Sequence, residues 1–389
     1  MIRIDCKPSC CGCTACAEIC AHNAITMQPD VLGFLYPVVD TNKCVECGLC
    51  ENVCQFNSNY KRYENYDEPL VYALRHKEHE QLIRSQSGGA FFGIAQYILN
   101  KGGVIYGAAF SECWKVTHQK ATNHKELEKL RMSKYVQSDM RGVFKQVKED
   151  LKQGHIILFS GTACQIAGLK AYIPAKIQTN LICVDIICHG VPSPKIWEDY
   201  IAYLQNKYRS TIIKACFRDK RFGWHGAKET FMFKNGKEIV RSTSNRLYFS
   251  GLSMRESCSN CQFTNLKRVG DLTIGDFWGI PKDSPYEKDK KGLSLLLVNS
   301  DKGNVIFESI RDNFIVGESN TRDCLQPQLQ YPSKMSRFHD SFVKDYLAHG
   351  FVYVAKKYGD IGLRSKIKEL YHAVRTQCGN LLRFCGLIR

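Results

Sequence analysis

The chain has 389 residues, a formal net charge of +16 and 20 cysteines. This length exceeds one ordinary domain, so two or three domains are expected. Ten of the cysteines fall within the first 54 residues, which indicates metal ligation in a reducing compartment rather than a secreted disulfide framework. The first residues contain no apolar signal core, and no apolar run approaches a membrane span. We therefore expect a cytoplasmic protein without a transmembrane segment.

The positive charge is unevenly distributed along the chain. Residues 1–60 carry three basic and six acidic side chains, a net charge of −3, so the other residues carry +19. A strongly basic body could bind nucleic acid. No known nucleic-acid motif and no dense basic tract with interleaved aromatic residues is found in the sequence. We therefore expect this positive charge to attract an anionic cofactor or substrate, or the acidic N-terminal part of the chain itself.

Two cysteine runs near the N-terminus share one spacing. The first is Cys10, Cys13, Cys16 and Cys20, and the second is Cys44, Cys47, Cys50 and Cys54. The C-x2-C-x2-C-x3-C pattern is typical of a two-cluster ferredoxin, in which the fourth cysteine of each run binds the other run's cluster. We therefore assign one 4Fe–4S cluster to Cys10, Cys13, Cys16 and Cys54, and the second to Cys44, Cys47, Cys50 and Cys20.

Structural zinc and disulfides are the alternatives for these runs. Zinc needs only two C-x2-C pairs, so a third cysteine repeated in both runs would be surplus. Disulfides between cysteines this close together would be strained. Proline usually follows the fourth cysteine, whereas Ala21 and Gln55 stand there in this chain.

The predicted elements divide the chain into four parts. Residues 1–58 form a ferredoxin-like module with short strands at 24–27 and 35–39, and we expect the fourth cysteine of each run at a helix start. The polar residues 59–68 are predicted to form a linker. A larger body covers 69–354, and a basic helical extension covers 355–389, with eight Lys or Arg against two acids. This extension is expected to pack on the body, with a peripheral membrane or partner contact as the alternative.

The body alternates between strands and helices. Strands are expected at 70–76, 104–110, 115–121, 155–160, 181–188, 271–278 and 293–300, and helices at 90–99, 125–132, 142–154, 165–172, 192–208 and 305–314. A turn is expected at 161–164, and Asn235-Gly236 predicts a hairpin. The alternation predicts a mixed α/β body that becomes α+β at one edge.

Four body cysteines follow predicted strands or lie close to one. Cys164 follows the strand at 155–160, Cys188 ends the strand at 181–188, and Cys258 and Cys261 precede the strand at 271–278. Ligands in α/β sheets gather beyond the carboxyl ends of strands. We hypothesise a third iron–sulfur cluster held by these four residues. They could instead be buried thiols, or the C-x2-C pair could be half of a zinc site.

Two stretches suit a phosphate-bearing cofactor. Residues 85–89, Ser-Gln-Ser-Gly-Gly, open a helix, where free N–H groups and glycine allow close approach of an anion. Residues 131–135 offer two cations, a hydroxyl and an aromatic ring. Residues 217–225 place cations among aromatic side chains, and His189 and His225 are weak candidates for proton transfer. A helix cap and a solvated loop are the ordinary alternatives.

Six further stretches occur in the order of one known family. They are S-x-S-G-G-A-F at 85–91, S-K-Y-V-Q-S at 133–138, F-S-G-T-A-C-Q-I-A-G-L at 159–169, D-I-I-C-H-G-V-P-S-P at 185–194, F-R-D-K-R-F-G-W at 217–224 and G-D-L-T-I-G-D-F-W-G-I at 270–280. With the N-terminal module, they resemble the beta subunit of coenzyme F420-reducing hydrogenase and its relatives. The resemblance is strongest to bacterial relatives often found with polysaccharide-biosynthesis genes.

This resemblance implies an iron–sulfur oxidoreductase that contains FAD, so that the larger α/β body would bind a flavin. The residues that would contact FAD are Ser87, Gly88, Gly89, Ser133, Lys134 and Tyr135. The resemblance also implies that Cys164, Cys188, Cys258 and Cys261 hold a 4Fe–4S cluster. Met132 and Ala163 depart from the family pattern, which usually has glycine and proline there, but neither departure removes a ligand.

The resulting hypothesis is a flavin-dependent iron–sulfur oxidoreductase. Electrons would pass between a ferredoxin-like donor, the clusters and FAD, with hydride transfer to or from F420 or a polysaccharide-pathway metabolite. The direction of electron flow is open. One alternative is an electron-transfer subunit that serves a partner enzyme and has no substrate of its own. A zinc-bearing scaffold in polysaccharide assembly is another.

Overall fold

The computed structural model describes residues 1–4, 6–58, 60, 65–281 and 283–362. The strands are β1 Ile25–Pro29, β2 Leu35–Val39, β3 Leu70–His76, β4 Val104–Phe110, β5 Val116–Ala121, β6 Ile157–Thr162, β7 Leu181–Ile186, β8 Ile212–Cys216, β9 Glu229–Phe233, β10 Glu238–Arg241, β11 Leu272–Asp276, β12 Ser294–Val298 and β13 Phe314–Ser319. The helices are α1 Ala15–Ile19, α2 Leu49–Asn52, α3 His79–Arg84, α4 Ala90–Asn100, α5 His124–Leu130, α6 Val143–Lys152, α7 Ala163–Tyr172, α8 Pro194–Tyr208, α9 Thr243–Phe249, α10 Pro285–Lys288, α11 Asp301–Ile310 and α12 His339–Lys357.

The N-terminal module has an internal repeat. Strands β1 and β2 pair antiparallel, from Ile25 opposite Val39 to Pro29 opposite Leu35. A left-handed residue precedes each short helix, Thr14 (φ 72°) before α1 and Gly48 (φ 75°) before α2. Both helices therefore begin two residues after the second cysteine of a run, which gives the two runs the same local path. The expectation that the fourth cysteines start helices is wrong, because Cys20 and Cys54 follow the ends of α1 and α2.

An eight-stranded mixed sheet forms the centre of the body. Its strand order is β13-β3-β12-β11-β7-β6-β4-β5. Four adjacent strands, β11, β7, β6 and β4, run parallel to one another. The next strand on each side, β12 and β5, runs antiparallel to them. All five residues of β12 are buried, as expected of a strand covered on both faces. The predicted mixed α/β architecture is therefore confirmed.

A smaller antiparallel sheet, β10-β9-β8, stands apart from the central sheet. The predicted hairpin joins β9 to β10, where Gly236 adopts a positive φ of 81°. Helix α8 packs on this sheet through Trp197 and Tyr200, and Phe231 from β9 meets both rings. The antiparallel hairpin confirms the expected α+β edge, and Phe110 of β4 stacks on Trp197, so that this edge packs against the central sheet.

Some boundaries differ from the sequence prediction for physical reasons. Strand β6 runs on to Thr162 and α7 begins at the next residue, so the turn expected at 161–164 does not form. The side chain of Thr162 and that of Gln165 form a capping box that starts the helix without a turn. The helix expected at 305–314 ends at Ile310, because Phe314 begins the edge strand β13. The expected boundary at 354 and 355 falls inside α12, while residues 363–389 of the predicted extension, like half of the predicted linker, lie outside the described residues.

The module contacts the body through buried polar groups. Glu18 on α1 accepts hydrogen bonds from the backbone N–H groups of Gly142 and Lys145 at the start of α6, each 3.0 Å long. The hydroxyl of Thr14 donates to the same carboxylate over 2.9 Å. A carboxylate at a helix N-terminus satisfies free N–H groups and interacts favourably with the helix dipole. Glu18 therefore fixes the position of the first cysteine run against the body.

Candidate electron-transfer centres and an adjoining cavity

The two N-terminal cysteine sets line two separate cavities. The inner cavity is lined by Cys10, Cys13, Cys16 and Cys54. The outer cavity is lined by Cys20, Cys44, Cys47 and Cys50. The folding of the two runs thus groups the cysteines as the ferredoxin pattern predicts, with one cysteine exchanged between the runs.

The chemistry of these cavities fits iron–sulfur clusters. Backbone N–H groups donate to three of the sulfurs, namely Gly12 to Cys10, Ala24 to Cys20 and Ile2 to Cys50. Such donors stabilise thiolates and tune the potential of a bound cluster. Burial raises the pKa of Cys16 well above its ordinary value and that of Cys54 to about 11. These thiols would therefore stay protonated unless iron took the place of the proton.

The body cysteines meet at a third cavity. It is lined by Cys11, Cys164, Cys188, Cys258 and Cys261. Cys164 is the second residue of α7, Cys188 lies two residues beyond β7, and the other two body cysteines lie in the 3-10 turn at Glu256–Asn260 and at its end. Because β6 and β7 are neighbouring parallel strands, their carboxyl ends bring Cys164 and Cys188 to one edge of the sheet.

The polar surroundings of the body cysteines differ between residues. The neighbouring Cys11 thiol, followed by the Thr162 hydroxyl, lowers the pKa of Cys164 to about 7. Burial raises the pKa of Cys258 to about 12 and that of Cys261 to about 11. The backbone N–H of Gly190 donates to the Cys188 sulfur over 3.3 Å. A positive centre would be needed to hold the two buried thiols as thiolates.

The grouping of the body thiols is looser than a single-ion site. Within the described ranges, no three His, Cys, Asp or Glu side chains are close enough together to hold one metal ion. Four thiolates around a four-iron cube stand further apart than four ligands about 2.3 Å from one zinc ion. The donor set of four cysteines fits a cube, and ligation by these residues stays a prediction.

Cys11 and Gln55 are functional candidates that sequence reasoning missed. Cys11 is buried and lines both the inner N-terminal cavity and the body cavity. The Gln55 amide nitrogen donates to the Cys11 sulfur over 3.1 Å and to the Cys164 carbonyl over 2.7 Å. The available signals are an extra cysteine inside the first C-x2-C gap and a glutamine where proline usually follows the fourth cysteine. Neither signal shows on its own that the residue contacts the body.

A cavity of about 560 Å³ lies beside the body cysteines. Five of the six residues predicted to contact FAD line it, namely Ser87, Gly89, Ser133, Lys134 and Tyr135. Gly88 is not in the lining. It packs between strands instead, where a Cβ would approach the Leu74 carbonyl oxygen to 1.9 Å and where its N–H donates to Ser294.

The large cavity and the body-cysteine cavity share a wall. The residues that line both are Thr162, Cys188, His189, Gly190, Val191 and Gln328. A one-electron centre at the body cysteines would therefore lie next to any ligand in the large cavity.

Partly buried lysines and a buried arginine lie in or beside the wall of the large cavity. Burial lowers the pKa of Lys134 to about 7, and its ammonium donates to the Lys129 and Arg131 carbonyls. Burial likewise lowers the pKa of Lys220 to about 7, and this side chain donates to the Ser87 carbonyl. Arg218 pairs with Asp276 over 2.6 Å. The lining thus combines fixed and titratable positive charge, which suits an anionic ligand.

Polar groups without partners point to a ligand in the same space. Both side-chain amide atoms of Gln86 and one carboxylate oxygen of Asp276 are buried and have no hydrogen-bond partner among the described residues. Both residues line the cavity. Buried polar atoms of this kind are normally satisfied. A ligand with hydrogen-bonding edges would satisfy them.

The two candidate histidines lie on the cavity wall, but their surroundings differ. His189 is hydrogen-bonded to the Gln328 side chain over 2.9 Å, and burial lowers its pKa. His225 pairs with Glu287 over 2.8 Å near the stacked rings of Trp224 and Trp278. At neutral pH, His189 is therefore neutral. Gln328 occupies its Nδ1, so a proton exchanged with a ligand would pass through the other ring nitrogen, Nε2.

Two family models match separate parts of the chain. Residues 154–323 match the family model that describes the C terminus of the coenzyme F420 hydrogenase/dehydrogenase beta subunit. Residues 9–58 match the model of a 4Fe–4S dicluster domain. The body segment 154–323 thus matches the family of coenzyme F420 hydrogenase/dehydrogenase beta subunits. The resemblance seen in the sequence motifs is therefore confirmed.

Two curated members of the F420 hydrogenase/dehydrogenase group align with most of this chain. The coenzyme F420-dependent sulfite reductase of Methanocaldococcus jannaschii is 25% identical over 77% of this chain and 46% of its own length. A component of the F(420)H(2) dehydrogenase of Methanosarcina mazei is 20% identical over 79% of this chain and 84% of its own length. The chain thus spans about half of the first relative.

A solved structure, the F420-reducing [NiFe] hydrogenase complex of Methanosarcina barkeri derivatised with xenon, is also similar. Its matching chain superposes with a TM-score of 0.42 and 14% identity, over 75% of this chain and 91% of that one.

The match to this family and the match to a 4Fe–4S dicluster domain together support an iron–sulfur electron-transfer oxidoreductase. The family match includes all four body cysteines, whereas Ser87 and Ser133–Tyr135 precede it. Among the residues that the structure describes, no helix combines the length and apolar character needed to cross a membrane.

Proposed function

We propose that the protein is an iron–sulfur flavoprotein that carries electrons between a ferredoxin-like partner and a small organic substrate. The observation that carries the proposal is the wall shared by the body-cysteine cavity and the large cavity. A bound flavin would exchange single electrons with the clusters and transfer a hydride to or from the substrate. The three cysteine sets would hold three 4Fe–4S clusters in the order outer, inner and body.

The residues of the large cavity support FAD as its ligand. A volume of about 560 Å³ lies within the usual range for cofactor pockets. The loop of Ser87 and Gly89 presents the start of α4, and the cations at Lys134 and Arg218 would face an anionic group. The unpaired Gln86 amide offers one donor and one acceptor to a ring edge. These groups would bind and orient the ligand.

Coenzyme F420 is the first candidate for the organic substrate. Two relatives are named for F420 or its reduced form, and F420 is polyanionic, which suits the +19 carried by residues 61–389. A polysaccharide-pathway metabolite is the other candidate, because the sequence motifs also resemble relatives found with polysaccharide-biosynthesis genes.

Anaerobic purification followed by cofactor analysis tests this function. We expect about twelve irons and one FAD per chain, and bleaching of the flavin spectrum by reduced ferredoxin or by reduced F420. A protein with iron but without flavin, or with a flavin that no candidate substrate or ferredoxin reduces, would refute the proposal. NADH serves as a second hydride donor in the same assay.

The second candidate is an electron-transfer subunit without its own substrate. One relative is named as one subunit of a dehydrogenase, and Cys47 beside the outer cavity is exposed, as a docking partner would require. Under this function, the chain would pass electrons to a partner redox enzyme. Retention of the clusters without FAD after native purification would favour it.

A further inference from the structure

Arg255 is a fully buried arginine between the inner N-terminal cavity and the body cavity. Its side chain has 0% exposure. Its Nε donates to the Cys10 carbonyl over 2.8 Å, and its two Nη atoms donate to the Leu35 carbonyl and the Gln137 side chain over 2.9 and 3.0 Å. The guanidinium therefore bridges the module and the body at the first cysteine run.

The same residue also forms part of the body cavity. Its side chain lines that cavity together with the body cysteines. Its carbonyl accepts a hydrogen bond from the N–H of Cys258, and its own N–H donates to the Val191 carbonyl. Gly12 leaves room for it, because a Cβ at Gly12 would lie 2.9 Å from Nη1. One positive charge thus stands against both sets of cysteines.

Arg255 has no carboxylate partner within the described ranges. Five arginines are buried there, and the other four, Arg75, Arg131, Arg218 and Arg268, each pair with an Asp or Glu. The neighbouring Glu256 and the nearby Asp30 both pair with Lys7 instead. The three acceptors of Arg255 are neutral oxygens.

A buried charge without a counter-charge is strongly unfavourable. The rings of Phe34 and Tyr36 lie 5.4 and 4.2 Å from the guanidinium carbon and add apolar surface. A cluster ligated by four thiolates carries about −2, because the ligands are deprotonated. Such a cluster in each of the two adjoining cavities would supply the missing negative charge.

We propose that Arg255 is the shared counter-ion of the inner cluster and the body cluster, and that it raises the reduction potential of both. The inference rests on the body cluster of the proposed function. One-electron reduction makes a cluster more negative, so a fixed positive charge nearby stabilises the reduced form. Because one guanidinium faces both centres, it shifts both potentials in the same direction. Arg255 acts as a positioning residue and contacts no substrate.

Redox titration of the intact holoprotein, followed by electron paramagnetic resonance, tests this role. The Arg255→Met variant removes the charge, whereas Arg255→Lys retains it. We expect Arg255→Met to disfavour reduction of the inner and body clusters by at least about tenfold, or ~59 mV for one electron. Arg255→Lys is expected to stay close to wild type. The outer cluster, whose cavity is lined neither by Arg255 nor by its hydrogen-bond partner Cys10, is the internal control and should not shift.

A neutral-residue control separates charge from packing. Gln137→Met removes one acceptor of Arg255 and leaves the charge in place, so its potentials should follow those of Arg255→Lys. If Arg255→Met does not accumulate, Arg255→Gln removes the same charge with a polar side chain. Equal shifts in Arg255→Lys and Arg255→Met would show a purely structural role and would overturn the proposal.

The iron content distinguishes failure of this inference from failure of the proposed function. About eight irons per wild-type chain would refute the body cluster, and with it any shared counter-ion. About twelve irons, with unshifted potentials in the charge-removing variant, would refute the role of Arg255 alone.

Discussion

The side-chain amide of Gln55 lies 2.7 Å from the carbonyl oxygen of Cys164, and this hydrogen bond joins the N-terminal module to the first turn of α7. The same nitrogen donates to the sulfur of Cys11. The bond therefore connects the end of the second cysteine run to the helix that carries the first body cysteine. It is a direct polar link between the two candidate centres on either side.

Gln55→Met should slow electron transfer between module and body while the iron content stays unchanged. The substitution keeps the volume and removes a donor shared by Cys11 and Cys164, and it should lower the free energy of unfolding by about 1–3 kcal/mol. Stopped-flow reduction by reduced ferredoxin would measure the rate. Gln178→Met is the matched control, because the Gln178 amide nitrogen also donates to two acceptors, the Lys170 and Ile173 carbonyls. Equal rates in the two variants would contradict the role of Gln55.

Glu18→Ala should loosen the module from the body. The carboxylate accepts two backbone N–H bonds at the start of α6, and each bond to a charged group is worth about 1.5–3 kcal/mol. We expect a lower unfolding midpoint in urea. Glu149→Ala, which removes an exposed carboxylate from α6, is the control and should change the midpoint little. A Glu18 variant as stable as the control would show that the cap is not needed for docking.

Cys188→Ala should lower the iron content from about twelve to about eight per chain. Cys188 lies in the wall between the two cavities, so loss of its cluster should also stop reduction of a bound flavin by ferredoxin. Iron and acid-labile sulfide analysis would measure the change. Cys183→Ala is the control, because Cys183 is buried in β7 outside the cavities and burial raises its pKa to about 12. Equal losses of iron in both variants would indicate general instability instead.

Ligand binding in the large cavity should weaken as the pH rises through neutrality. Burial lowers the pKa of Lys134 to about 7, so the ammonium is charged at about pH 6 and mostly neutral at about pH 8.5. The loss of one positive charge should reduce FAD affinity several-fold, up to about tenfold. Fluorescence quenching during FAD reconstitution at several pH values would show this.

The Lys134→Met variant should bind FAD more weakly below neutral pH and show a flatter pH profile. Lys220, whose pKa is also about 7, supports the Ser87 loop and should leave a residual pH dependence. An unchanged profile in Lys134→Met would assign the titration to another group.

The folded state should gain stability as the pH rises from about 7 towards about 10. A lysine whose pKa is lowered on folding binds fewer protons in the native state than in the unfolded state over this range. Lys134→Met should reduce this gain, which urea unfolding at about pH 7 and about pH 9 would measure.

The central strands and the two cysteine runs could be predicted because their signals are local. The apolar run of β7 and the x2-x2-x3 spacing depend on neighbours within a few residues. The start of α7 and the end of α11 could not be predicted, because the capping box at Thr162 and Gln165 decides the first and the edge pairing of Phe314 opposite His76 decides the second. The sequence motif around Gly88 predicts a cofactor contact. The packing of Gly88 against the Leu74 carbonyl depends on the tertiary structure and could not be predicted from that motif.

The sequence by itself determined the cysteine spacing, the succession of strands along the chain and the family. The tertiary structure decided that Cys11, Gln55 and Arg255 stand between the inner and the body cysteines, and that the large cavity shares a wall with the latter. The physical reason is distance along the chain. Arg255 contacts Cys10 across 245 residues and Gln55 contacts Cys164 across 109, and such contacts form only when the parallel strands and the docked module bring these segments together.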